Sequence, residues 1–243
     1  MNIAILPRWR RGTLEKIWAG HSFSVANDFV SIANRYGIGL TCILTRFDVE
    51  HAATHCDGLI IPGGCSMGDP YEGGEEFDPP DLFALDDKVI DAFVRQGKPI
   101  FGICRGNQTI NRFFGGTIYE FPNKPEHYFY NDPTPFDRYG NQIKHRIHHV
   151  NVEEDSFVHD AYGETRIITN SYHSFAVDQL APCLTVVART DDGVVEAIEN
   201  KRLHIYGTQW HPELGYRMND PLDMKLFENF FETCRKVAQE RKG

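Results

Sequence analysis

Residues 99–106 read Pro99-Ile100-Phe101-Gly102-Ile103-Cys104-Arg105-Gly106, a short apolar run ending in a cysteine set between glycines. A run of this kind, without polar alternation, suits a strand buried on both faces of a parallel sheet. The residues that follow, Arg105 to Phe114, predict a helix that stops at Gly115-Gly116. Strand, sharp turn and helix in that order outline a nucleophile elbow. Gly102 and Gly106 leave room for the turn, and Cys104 stands at the helix N-terminus. Unpaired N–H groups and the macrodipole at such a position favour the charged form of a thiol. Most lone cysteines are simply buried hydrophobes, the reading given to Cys42, Cys56, Cys183 and Cys234.

Upstream, Asn2 to Leu6, Leu40 to Leu44 and Gly58 to Ile61 are further unalternated apolar runs. Helix-like stretches lie between them, Ser24 to Tyr36 and Pro80 to Gln96, the second opening on prolines and stopping at Gly97. Alternating strands and helices predict an α/β sheet with crossovers. Downstream the character changes. Leu184 to Thr190, Val194 to Glu199 and Leu203 to Gln209 are closely spaced strand-like runs joined by Asp191-Asp192-Gly193 and Asn200-Lys201, both good hairpin turns. Pro221 to Glu240 then carries an apolar stripe at helical spacing. The expected fold is a three-layer α/β sandwich with a central mixed, mostly parallel sheet, formed by a single domain over residues 1–243. Two stretches without clear periodicity, Cys65 to Pro79 and Phe121 to Asn141, are candidates for pocket walls.

A cysteine nucleophile needs a base to hold its proton and later give it to the leaving group. Of the 11 histidines, His211 stands out because Trp210-His211-Pro212-Glu213 follows directly on the strand Leu203 to Gln209. Pro212 biases His211 toward extended backbone, where residues 211 and 213 point to one side. Glu213 would then fix the tautomer of His211. Pro62-Gly63-Gly64, just past the strand Gly58 to Ile61, is the candidate oxyanion loop, with the N–H groups of Gly64 and Arg105 as donors. His145, His148 and His149 lie on a probable strand, and no nearby carboxylate completes a metal set with them, so they are read as ordinary histidines.

Composition excludes several functions. A hydrophobic fraction of 41% over 243 residues supports a well-covered core. A formal net charge of -9 opposes nucleic acid or an anionic membrane as partner. The one basic cluster, Arg8, Arg10 and Arg11, is read as a solvated loop. No apolar run approaches the roughly 20 residues of a membrane span, and Met1 to Leu6 lacks a signal-peptide pattern. A cytoplasmic protein with reduced thiols is expected.

These motifs, taken together, resemble the class I glutamine amidotransferase-like superfamily, and within it the γ-glutamyl-γ-aminobutyrate hydrolase-like branch. The resemblance runs from about Asp57 to Phe231 in ordered blocks: Pro62-Gly63-Gly64 with Tyr71 downstream, Gly102 to Gln108, Asn170-Ser171-Tyr172-His173, Asp192-Gly193 with Glu196-Ala197, and Gln209 to Glu213. It implies a Cys104, His211 and Glu213 triad, Gln108 facing the substrate, and Ser171, Tyr172 and His173 in a loop that binds the glutamyl α-amino and α-carboxylate groups. It implies no cofactor and no metal. The sequence departs at Ser174-Phe175, where the branch commonly has His-Gln, and at Cys65 to Asp69. The expected partner is a small γ-glutamyl substrate, with a homodimer left open. Two other readings stand beside this one: an amidotransferase subunit supplying ammonia to a separate synthase, and a catalytically dead binding module, against which the intact triad argues.

Overall fold

The computed structural model describes residues 1–10, 22–64, 81–120, 127 and 146–241. The candidate pocket-wall stretches therefore lie outside the described residues, apart from His127, as do Cys65, Tyr71 and His145. The elements in chain order are β1 (Asn2–Ile5), β2 (Arg8–Arg10), β3 (Ser22–Ser24), α1 (Asn27–Tyr36), β4 (Gly39–Cys42), α2 (Val49–His55), β5 (Gly58–Ile61), α3 (Asp81–Arg95), β6 (Ile100–Ile103) and α4 (Arg105–Phe113). They continue with β7 (Ile118–Glu120), β8 (Arg146–Val152), α5 (Phe157–Tyr162), β9 (Arg166–Ser171), β10 (Phe175–Val177), β11 (Thr185–Thr190), β12 (Val195–Asn200), β13 (Ile205–Thr208), α6 (Gly215–Met218) and α7 (Pro221–Glu240).

The central sheet has 9 strands in the order β4-β1-β5-β6-β13-β12-β11-β8-β9. From β4 to β13 neighbouring strands run parallel, and from β13 to β9 they run antiparallel. Strand β13 thus joins the two halves, pairing parallel to β6 through Tyr206↔Phe101 and antiparallel to β12.

Alternation of side chains sorts the strands onto two faces. Ile3, Ile5, Ile60, Phe101 and Ile103 face one core, which α1, α5 and α7 close with Phe29, Phe157, Phe227, Phe230 and Phe231. Ala4, Leu6, Leu59, Ile61 and Ile100 face the other, closed by α2, α3 and α4. Phe101 meets Phe157, Phe227 and Phe230 with ring centroids 5.6–5.7 Å apart. Truncating one of these fully buried rings to alanine would cost about 3–5 kcal/mol. Helix α7 starts where the sequence places it because Pro221 follows an Asp220 cap, whose carboxylate accepts from the N–H of Leu222 at 2.9 Å.

Three expectations are corrected. The strand read from Leu203 starts at Ile205, because Lys201–Leu203 winds into a 3₁₀ turn capped by the Asn200 side chain. The helix read from Ser24 begins at Asn27, since Ser24 pairs with Arg8 across β2 and β3. Arg8 and Arg10 accordingly belong to a strand, not to a solvated loop; Arg11 lies outside the described residues. Among the described residues no helix is long and apolar enough to cross a membrane.

Candidate functional site

The elbow is built by steric exclusion. A Cβ on Gly102 would come 2.5 Å from the Gly106 carbonyl oxygen, and a Cβ on Gly106 would come 2.0 Å from that of Ile61. Only glycine permits this packing of α4 across β5 and β6. Cys104 sits at the turn with φ 53°, a left-handed conformation rare outside glycine, which the tight packing on either side maintains. Its N–H is spent on the Thr208 carbonyl at 2.7 Å, across the β6–β13 pair. The next N–H, that of Arg105, opens α4, where a helix has no carbonyl of its own to offer.

Gly63 is the point where the candidate residues meet. A Cβ there would lie 2.5 Å from Cε1 of His211 and 3.1 Å from Cβ of Cys104, so the two side chains border the same glycine. Gly64 faces the guanidinium stem of Arg105, whose Nε would be 3.2 Å from its Cβ, and Arg8. The Arg105 guanidinium is in turn tied to the buried Asp86, whose carboxyl is pushed up by burial and only partly restrained by Arg105.

His211 is buried, and its Nδ1 lies 2.8 Å from Oε1 of Glu213. A carboxylate only accepts, so Nδ1 carries the proton and Nε2 is left for chemistry. Among the described residues Nε2 has no partner at hydrogen-bond distance. Burial works against the charged imidazole, but the charges of Glu213 and Cys104 outweigh it and raise the His211 pKa to about 10. Burial likewise opposes ionisation of Glu213, yet His211 holds that carboxyl below the usual range, helped by Arg8 with its Nη2 3.6 Å from Oε1. The side-by-side placement of 211 and 213 does not come from strand alternation: Pro212–Leu214 forms a single 3₁₀ turn, closed by the Leu214 N–H on the His211 carbonyl at 3.2 Å.

The remaining expected residues divide. Gln108 is buried, its Nε2 donating to the Phe175 carbonyl at 2.8 Å and to Oε1 of Gln209 at 3.1 Å, while its own Oε1 has no partner among the described residues. Ser171 turns inward, its hydroxyl donating to the His127 carbonyl at 2.8 Å. His173 turns inward too, 3.4 Å from Glu196. Tyr172 is 41% exposed and stands edge-on to the His211 ring at 6.5 Å between centroids. Asn170, a member of the same block with no role assigned from the sequence, grips the His211 main chain.

The reading that no carboxylate approaches the strand histidines fails at His148. Oε2 of Glu196 lies 3.6 Å from its Nε2, and His127, His148 and Glu196 gather with their ligand atoms within 4.8 Å of one another. The reason is a β-bulge: Ala188 pairs with Ala197 and Arg189 with Val195, so Glu196 is the extra residue of β12, and bulges re-aim side chains.

Comparison with known proteins finds relatives that span most of the chain. The glutamine amidotransferase-like protein YvdE of Lactococcus lactis is 32% identical over 214 residues, covering 79% of this chain and 82% of that one. The γ-glutamyl-γ-aminobutyrate hydrolase PuuD of Escherichia coli is 32% identical over 204 residues, covering 79% and 78%. Among solved structures, a glutamine amidotransferase from Thermotoga maritima superposes with a TM-score of 0.65 at 13% identity over 96% of this chain and 97% of that one, a likeness of fold. The model of the Peptidase C26 family matches residues 3–213, from the first strand through Glu213, and this chain belongs to that family.

Proposed function

We propose that this chain is a cysteine hydrolase that cleaves the γ-glutamyl amide of a small γ-glutamyl amine, releasing glutamate and the amine. The observation that carries the reading is the meeting of Cys104 and His211 at Gly63, with Glu213 2.8 Å behind the imidazole. The 32% identity to a protein named as a γ-glutamyl-γ-aminobutyrate hydrolase supports the substrate class.

In this mechanism Nε2 of His211 takes the Cys104 thiol proton as the sulfur bonds to the γ-carbonyl carbon, and the carbonyl oxygen takes the negative charge against the N–H groups of Gly64 and Arg105. As the C–N bond breaks, His211 gives the Nε2 proton to the departing amine, leaving a γ-glutamyl thioester. Water then adds to that carbonyl while Nε2 takes its proton, the C–S bond breaks, and glutamate leaves. Glu213 stabilises the imidazolium without taking a proton. Tyr172, Gln108 and the main chain of Ser171 and His173 would shape the glutamyl side of the pocket. The chemistry calls on no cofactor.

The test is the ratio of kcat/KM for γ-glutamyl-γ-aminobutyrate over glutamine, measured on the isolated chain. A ratio well above one is expected. A ratio below one, together with strong activation by a co-purifying synthase, would move the chain to the ammonia-supplying reading.

A further inference from the structure

Behind the loop of residues 170–173, outside the triad, three imidazoles converge on one buried carboxylate. Glu196 is 0% exposed, and among the described residues neither of its side-chain oxygens has a partner at hydrogen-bond distance. His148 Nε2 lies 3.6 Å from Oε2, His127 Nδ1 lies 3.7 Å from Oε1, and His173 Nε2 lies 3.4 Å from Oε1. Hydrogen bonds between such groups span about 2.7–3.2 Å. Ligands around a tetrahedral zinc, with bonds of about 2.0–2.2 Å, stand roughly 3.4 Å apart; the nitrogens of His127 and His148 lie 3.7 Å and 3.6 Å from Oε1 and Oε2, and the ligand atoms of the set are within 4.8 Å of one another, near enough for a small shift to close them on one ion.

The outer contacts fix which nitrogens face inward. His127 Nε2 lies 3.3 Å and 3.4 Å from the two carboxylate oxygens of Asp192, which can only accept, so a neutral ring that keeps its proton on that side presents the Nδ1 lone pair to Glu196. His173 Nδ1 lies 3.0 Å from the Phe175 carbonyl, again an acceptor, so its Nε2 also presents a lone pair when the ring is neutral. With both rings neutral, their inner nitrogens and the Glu196 carboxylate form one set of acceptor atoms around a point that a cation would fill. A carboxylate or carbonyl on the far nitrogen of each ring is the outer-shell pattern of metal-bound histidine.

We propose that His127, His148 and Glu196 bind one divalent metal ion of the zinc class, with His173 bordering the carboxylate as a further donor. The ion joins β8, β12 and residue 127. Because the His127 carbonyl accepts from Ser171 Oγ at 2.8 Å and from the His173 N–H at 3.1 Å, holding its ring also holds the loop whose Asn170 grips His211. The ion is a staple beneath the substrate loop and takes no part in bond cleavage.

The experiment strips the full chain with a chelator and titrates it with Co²⁺ and Zn²⁺, in a Cys104→Ser background so that the elbow thiol does not compete. Expected are one equivalent of metal, tetrahedral Co²⁺ absorption without a sulfur charge-transfer band, and a zinc-dependent rise in Tm. His148→Ala should weaken binding at least about 10-fold and abolish the Tm response. His148 is only partly buried, so this variant remains informative if Glu196→Gln does not fold. No bound metal, or the same stoichiometry and affinity in His148→Ala, would overturn the proposal and leave a proton-sharing histidine–glutamate cluster in its place.

Discussion

Asn170 holds the main chain of His211 from both sides: its Nδ2 donates to the His211 carbonyl at 2.9 Å, and its Oδ1 accepts from the His211 N–H at 3.0 Å. The two residues stand 41 positions apart, one next to the end of β9 and the other just past β13. A planar amide matched to the N–H and C=O of one residue fixes the height of the imidazole above the elbow. Asn170→Ala should therefore lower kcat/KM by about 10–100-fold, mainly through kcat, because small misplacements of a catalytic group are costly. Steady-state kinetics with circular dichroism as a folding control would show it, and an unchanged kcat would remove the positioning role.

Gly63 allows that same approach from below. Gly63→Ala puts a methyl group 2.5 Å from Cε1 of His211 and 3.1 Å from Cβ of Cys104, so the imidazole must move. The expected outcome is an activity loss on the order of 100-fold with a small change in Tm, since the displaced atoms belong to two side chains and not to backbone. A large fall in Tm with activity kept per folded molecule would contradict this.

Cys104 as sole nucleophile predicts a loss of at least about 10³-fold in kcat for Cys104→Ser, whereas Cys183→Ser, at an exposed site away from the elbow, keeps nearly full turnover. Iodoacetamide labelling with peptide mapping gives a second readout. If Cys183 or Cys42 labels fastest and substrate does not protect Cys104, the assignment is wrong.

Charge pairing predicts a pH signature. His211 has its pKa raised from an ordinary value of about 6.5 to about 10, so the stability this proton contributes is complete below about 6.5 and is lost as pH rises through 10. Glu213 is lowered, so its contribution is present above its ordinary range and is lost as pH falls through its depressed folded value. The Tm gap between the wild type and Glu213→Gln should be widest near neutral pH and should narrow as pH approaches 10. A gap that widens toward pH 10 would reverse the assigned sign. At neutral pH Glu213→Gln should also keep more activity than His211→Ala, because the imidazole remains in place.

The chain's own order of residues settles whatever depends on near neighbours. Unalternated apolar runs at β1, β5 and β6 mark strands covered on both faces, the two glycines around Cys104 mark a turn that admits no side chain, and Pro221 behind Asp220 marks the start of α7. Each is a local matter of sterics or hydrogen bonding within a few positions. His211 and Glu213 are near enough in sequence for their pairing to be expected, although the 3₁₀ turn that achieves it was not. Everything fixed by strand register waited for the folded chain. The insertion of β13 beside β6, the bulge that aims Glu196 at His148, the reach of Arg8 to Glu213 and the grip of Asn170 on His211 each join segments tens to hundreds of residues apart. Their positions follow from which strands pair and how far they slide, a balance of burial over the whole sheet that no local pattern encodes.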